Sequence, residues 1–337
     1  MKRMTIQVHK PGLLSTLQDL GRYGYQQYGV IVSGAMDSFA HKAANLLVGN
    51  GEREATIEMT LIGPVLQFAE EALIAICGSD LSPRIDGETV PLWRPVYIRA
   101  GATLAFGSSR EGCRCYLAVS GGFDVLQRMN SYSTYLRAGL GGFEGRALKE
   151  GDHLPLKPVT ALGMSLLERL RAEAGEAGFA SASWRLSYEL MPAYAAQPEL
   201  RVIPGAQYAL FQDESLEALF SEEFRVQPQS DRMGYRLSGP PLQMKERLEM
   251  LSEPVTFGTV QVPPDGNPII LMADRQTTGG YPKVAQVITA DLPVLAQVQI
   301  GRPVRFRLVD LHEAQEALLE MELHVSFLRR SIHLHFI

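Results

Sequence analysis

A series of short motifs recurs in the second half of this chain in the order in which it occurs in the first. Pro11-Gly12 returns as Pro204-Gly205, Arg22-Tyr23-Gly24-Tyr25 as Arg232-Met233-Gly234-Tyr235, and Ser33-Gly34 as Ser238-Gly239. Gly63-x-Val65-x-Gln67 is followed by Gly258-x-Val260-Gln261, Asp80 by Asp274, and Gly101 with Phe106 by Gly301 with Phe306, at offsets of 193 to 210 residues. Any one match is ordinary turn chemistry. Their shared order points to a duplicated module, and 337 residues is a suitable length for two domains.

Strand signals dominate both halves. Short β-branched and aromatic runs bounded by Gly, Pro and Asp occur at Val65–Phe68, Leu73–Cys77, Val96–Arg99, Thr103–Phe106 and Tyr116–Val119. They return at Val255–Val262, Ile269–Met272, Val284–Thr289 and Val304–Leu308. Between two of them, Pro263-Pro264-Asp265-Gly266-Asn267-Pro268 reads as a turn, because proline presets φ and Asp-Gly and Asn tolerate a reversed backbone. Strands at this spacing suit a barrel or sandwich rather than βαβ units.

Helices are few. Ser38–Val48 carries Phe39, Ala43, Leu46 and Leu47 on one face, with Asp37 as N-cap and Gly49 as stop. A second runs from Leu311 to Glu322 behind Asp310 and Glu313, and a shorter helical pattern covers Ser165–Ala174. The expected organisation is mainly β with a few short helices: a first β module over 1–156, a connector over 157–197, and a second module over 198–337 that ends in a helix and tail.

Apolar residues at 46% and charged residues at 20% allow a sizeable core. A net charge of −5 argues against nucleic acid as the main partner. Three cysteines, Cys77, Cys113 and Cys115, are too few for a disulfide framework. No apolar h-region follows the N-terminal charges, and the longest apolar run, near Ala72–Cys77, is too short to span a bilayer. These features lead to an expectation of a cytoplasmic chain with no membrane partner.

The run from Asp274 through Arg275, Gln276, Thr277, Thr278, Gly279, Gly280, Tyr281 and Pro282 to Lys283 is the best chemical candidate. It lies between two strands, hence at a barrel rim. A flat amide-containing ligand needs donors for its carbonyl and acceptors for its N–H. A glutamine amide, threonine hydroxyls and glycine-exposed backbone supply both, and Lys283 could bind a carboxylate or stabilise developing negative charge. The plainer alternative is a Gly-Gly hairpin with exposed polar residues. The first module carries Ser79-Asp80-Leu81-Ser82-Pro83-Arg84 at the corresponding place, without the Gln-Thr-Thr-Gly-Gly-Tyr run, so the second has acquired something the first lacks.

Arg232 and Tyr235 complete the candidate set. Arginine can pair with a carboxylate in a bidentate manner, but recurrence of the pattern at Arg22 and Tyr25 favours a structural role. Gly139–Gly145 lacks the spacing of a dinucleotide loop and is expected to be a turn. No G-x-x-x-x-G-K-[ST] occurs, so no P-loop is readable in the chain. Cys113-x-Cys115 and His333-x-His335 each read as two side chains on one strand face. No further ligands are readable beside them, so no metal is expected. No nucleophile–base set can be assembled.

The runs PGLLSTLQDLGRYGYQQYGVIVSGAMD (11–37), SDRMGYRLSG (230–239) and DRQTTGGYPKVA (274–285) resemble the allophanate hydrolase subunit 2 family, whose members include subunits of 5-oxoprolinase and part of the carboxyltransferase region of urea carboxylase. The resemblance extends from Thr5 to about Val309. It implies two tandem cyclophilin-like β-barrel modules, and an assembly of several chains that opens the lactam 5-oxo-L-proline to L-glutamate with ATP. The implied partners are two further subunits of 5-oxoprolinase, one KipI-like and one of LamB/YcsF type. The chain would then be inactive in isolation, with ATP bound mainly by a partner and no biotin attached here. A biotin-dependent carboxyltransferase acting on a urea- or allophanate-like substrate is a second implied role, but no Met-Lys-Met context is present. A KipA-type regulator that sequesters a kinase-inhibitor protein is a third.

Overall fold

In the computed structural model, which describes residues 4–246 and 249–336, each of the nine β-branched runs overlaps a strand. The fold is mainly β. It divides into two compact units, one comprising Met1–Arg22, Asp37–Met191 and His324–Ile337, the other Tyr23–Met36 and Pro192–Leu323. Residues 157–197, read as a connector, therefore divide: the stretch to Met191 belongs to the first unit and Pro192 onward to the second.

The first unit consists of two six-stranded sheets. One is ordered His153–Pro155, Thr5–Lys10, Val65–Phe68, Thr103–Ala105, Arg84–Ile85, Glu88–Thr89. The other is ordered Phe179–Ser181, Pro95–Ile98, Ala72–Asp80, Glu111–Val119, Thr56–Thr60, Leu14–Gln18. Alternate residues of the two sheets meet in a single core. Ile6, Val8, Leu66, Phe68 and Leu104 come from the first sheet, and Ile57, Met59, Ile74, Ile76, Leu117 and Val119 from the second. The helix Ser38–Leu47 packs on the strands Ala72–Asp80 and Glu111–Val119. Its cap is the expected one: Asp37 accepts the Ala40 N–H at 2.9 Å, and Gly49 has φ +74°. The helix Ala161–Ala174 begins four residues earlier than expected, because the Thr160 hydroxyl accepts the Gly163 N–H at 2.9 Å. The Gly139–Gly145 run is a turn. Gly141 and Gly142 have positive φ, and a Cβ on Gly142 would lie 1.8 Å from the Thr134 hydroxyl.

His41 is wholly buried on the inner face of its helix. Its Nε2 lies 3.0 Å from the Glu52 carbonyl, which only accepts, so the ring proton is on Nε2, and Nδ1 accepts the Thr56 hydroxyl at 2.8 Å. Burial lowers its pKa from 6.5 to about 4. The unfolded chain therefore takes up a proton below about pH 6.5 that the fold refuses. The stabilisation is complete above that pH and is lost as pH falls towards 4, by about 3 kcal/mol in all. Urea midpoints measured from pH 7 to 4.5 should fall more steeply in the wild type than in His41→Gln; parallel curves would remove His41 as the cause.

The second unit closes as a seven-stranded barrel, so the barrel-or-sandwich reading is met once each way. Its order is Glu199–Pro204, Lys283–Val287, Thr259–Gln261, Ile269–Leu271, Gly234–Ser238, Phe224–Val226, Pro303–Leu308. The last strand pairs in parallel with the first and completes the ring. Val202, Tyr235, Val260, Ile270, Val284 and Phe306 fill it, together with Met36 from the Tyr23–Met36 segment. The Pro263–Pro268 turn forms as expected: Gly266 N–H donates to the Pro263 carbonyl at 2.9 Å, and Asn267 N–H to the Asp265 carboxylate at 3.1 Å. The motif echo does not extend to strand pairing. Val65–Phe68 pairs with Thr5–Lys10 and Thr103–Ala105, whereas Thr259–Gln261 pairs with Ile269–Leu271 and Lys283–Val287.

The last helix starts at the expected Asp310 cap, which accepts the Glu313 N–H at 2.8 Å, but continues from Leu311 to Phe336. The strand reading of His333-x-His335 is thereby corrected, since both residues are helical. No Gly or Pro interrupts the segment, and Val325, Leu328 and Ile332, at three- and four-residue spacing, are buried. Two-residue spacing on a helix does not place both histidines on one face.

Candidate functional site

The strand Ile269–Leu271 delivers the chain to Asp274, where the candidate loop begins. Asp274 is buried, and its carboxylate accepts Arg232 Nε–H at 2.9 Å and Nη2–H at 3.1 Å. It also accepts the Ser33 hydroxyl at 2.6 Å. The Asp274 N–H donates to the Arg232 carbonyl at 2.8 Å, and Arg232 Nη2 donates to the Gly34 carbonyl at 2.6 Å. Both charges of this pair are thus committed to each other and to the segment that carries Ser33 and Gly34. The pair anchors the loop. Tyr235 lies in the barrel core, 3% exposed, with its hydroxyl donating to the Val298 carbonyl at 3.4 Å.

The first motif behaves alike within the first unit. Arg22 is fully buried and donates to the carbonyls of Arg128 at 3.0 Å and Ser133 at 2.7 Å. Each arginine holds a loop to a neighbouring segment, which supports the structural reading of the Arg-x-Gly-Tyr pattern.

Beyond Asp274 the loop opens outward. Gln276, Thr278, Gly280 and Tyr281 are exposed, and Thr277 is half-buried. The far side is held by a short antiparallel ladder, Thr278–Gly279 against Glu253–Pro254, and by the Val255 N–H donating to the Thr277 carbonyl at 3.1 Å. Gln261 Nε2–H reaches the Tyr281 carbonyl at 3.5 Å. Two glycines allow this packing. A Cβ on Gly279 would lie 2.3 Å from Gln261 Nε2, and one on Gly205 would lie 2.3 Å from the Lys283 carbonyl. The second contact gives the Pro204-Gly205 motif a physical reason.

Lys283 is not a free rim cation. Its ammonium donates to the Glu253 carboxylate, its side chain is 12% exposed, and its backbone N–H donates to Gln207 Oε1 at 3.0 Å. The hydrogen bond from Lys283 holds the Glu253 carboxyl below its usual pKa range. Any anion bound by Lys283 has to share it with, or take it from, Glu253.

The loop therefore offers an amide, two hydroxyls, a phenol and a lysine beside its own carboxylate. That set can recognise an amide and a developing oxyanion. Glu253 and Gln207 are the members that sequence reasoning missed. They lie 30 and 76 residues from Lys283, and no local signal joins them to it. Among the described residues no group of three or more His, Cys, Asp or Glu is placed to hold a metal ion. No described helix is long and apolar enough to cross a membrane.

Comparison with known proteins places these features among relatives. Residues 28–308 match the family described as "Carboxyltransferase domain, subdomain A and B". The chain is 40% identical to the C subunit of 5-oxoprolinase from Haemophilus influenzae, over 94% of this chain and 96% of that one. It is 36% identical to the C subunit of 5-oxoprolinase from Escherichia coli, over 97% and 99%. The crystal structure of the K. lactis urea amidolyase superimposes with a TM-score of 0.86 at 27% identity, over 97% of this chain. This chain spans about a fifth of that protein, 20% of its length.

Proposed function

This chain belongs to the carboxyltransferase-domain family, subdomains A and B, and from that premise we propose that it is the C subunit of an ATP-dependent 5-oxoprolinase. The observation that carries the reading is full-length likeness: two curated relatives of that name match nearly end to end at 36% and 40% identity. The urea amidolyase, by contrast, is matched over a fifth of its length. The complex opens 5-oxo-L-proline with water and ATP, giving L-glutamate, ADP and inorganic phosphate. Gln276, Thr277, Thr278, Gly280 and Tyr281 supply the lactam's hydrogen-bonding partners, and Lys283 faces charge that develops on the lactam oxygen. Asp274, Arg232 and Tyr235 hold that surface in place. The absence of a Walker-type loop from the sequence supports nucleotide binding by a partner, and two further subunits, one KipI-like and one of LamB/YcsF type, complete the assembly.

The purified chain alone is expected neither to hydrolyse ATP nor to open 5-oxoproline, and activity should appear when both partners are added. Robust turnover by the single chain would overturn the division of labour. ATP-independent exchange of carboxylate with free biotin, without lactam opening by the full set, would favour a carboxyltransferase role instead.

A further inference from the structure

Arg275 stands beside the anchored Asp274 but takes no part in that anchor. It is half-buried. Its Nη1 reaches only the Met272 carbonyl, at 3.4 Å, and its Nε is buried with no hydrogen-bond partner among the described residues. The neighbouring Asp274 carboxylate is already filled by Arg232 and Ser33. No described acid forms an ion pair with Arg275, while Lys283 at the other end of the loop has Glu253. The loop thus carries one cation held in an ion pair and one without such a pair among the described residues, either side of its amide and hydroxyls.

We propose that Arg275 is the residue that receives the carboxylate of a cyclic amide ligand, and so restricts the site to lactams that bear one. The inference rests on the lactam-opening reading above and names the part of the substrate that reading leaves unassigned. A guanidinium presents two parallel donors to a carboxylate, a geometry that an ammonium cannot reproduce. Burial depresses the Arg275 pKa, opposed by Tyr23 and Asp274. A bound carboxylate would supply the compensation that the protein withholds. An arginine already saturated by protein acceptors, as Arg232 is, has no such capacity.

The test uses the assembled complex and two probes, 5-oxoproline and 2-pyrrolidinone, the same lactam without the carboxylate. The wild type should prefer 5-oxoproline. In Arg275→Gln, kcat/KM for 5-oxoproline should fall roughly 10- to 100-fold, mostly through KM, the size expected for losing a charge-assisted hydrogen-bonded pair. Turnover of 2-pyrrolidinone, or its Ki as a competitor, should change by less than about twofold, because that probe has no carboxylate for Arg275 to meet. Arg275→Lys should recover only part of the preference. Equal losses on both probes would overturn the assignment while leaving the functional reading intact. So would weakened assembly with an unchanged preference, which would give Arg275 to a carboxylate of a partner protein. A wild-type complex that turns over neither lactam would overturn the functional reading itself, and this inference with it.

Discussion

Asp274→Ala is expected to destabilise the second unit by about 3–5 kcal/mol, the cost of leaving a buried cation without its partner. The side chains of Arg232 and Asp274 are 6% and 7% exposed, so water cannot replace the lost carboxylate. Removing it also strands the Ser33 hydroxyl, whose 2.6 Å bond ties the segment 23–36 to the barrel. Asp274→Asn keeps an acceptor and should lose less. Arg232→Met combined with Asp274→Leu should recover much of the loss, because the desolvation cost of both charges disappears together. Hydrogen exchange at Met272 and Asp274, whose amides bond to the Met233 and Arg232 carbonyls, reports this unit separately from the first. A loss under about 1 kcal/mol for Asp274→Ala would show that the pair is hydrated rather than an anchor.

Gln276→Ala should lower kcat/KM of the assembled complex about 5- to 150-fold, by leaving a desolvated ligand group without its hydrogen bond. Gln276 is exposed, so the stability of the chain should move by less than about 0.5 kcal/mol. Lys283→Ala is expected to act more on kcat than on KM if the ammonium meets charge that forms only in the transition state. It also releases Glu253, which is 45% exposed and readily hydrated, so the folding cost of losing that pair is small. Cys113→Ser and Cys115→Ser are buried changes that should affect folding alone. Full activity in Gln276→Ala and Lys283→Ala, with assembly intact, would reduce the loop to a polar hairpin.

Much of the fold is local in origin, and those parts were legible. Asp37 and Asp310 announce helix starts because an aspartate can satisfy orphan N–H groups only at a terminus, and both caps are present. The Pro263–Pro268 turn follows from residues with preset or reversible φ. The segments that escaped lacked such signals. The strand Leu14–Gln18 has all but its first residue buried, including Ser15, Thr16 and Gln18, so it shows no apolar alternation. The last helix runs past its expected end at Glu322 because its exposed charges and its exposed Leu319, Leu323 and Phe327 blur the amphipathic pattern.

Which residues could serve the loop was readable from their chemistry; which of them are already spent was not. The order of amide, hydroxyls, glycines and lysine along 274–283 is a property of the sequence alone, as are the caps, the turns and the β-rich character. The partners of its charges are not. Arg232 lies 42 residues from Asp274 and Glu253 lies 30 from Lys283, and only closure of the barrel brings them within hydrogen-bonding distance. Closure also decides that Tyr235 is core and that Arg275 has no ion-pair partner among the described residues. Ion pairing depends on distances through space and on the water excluded around them, and a linear sequence specifies neither until the strands have found their registers.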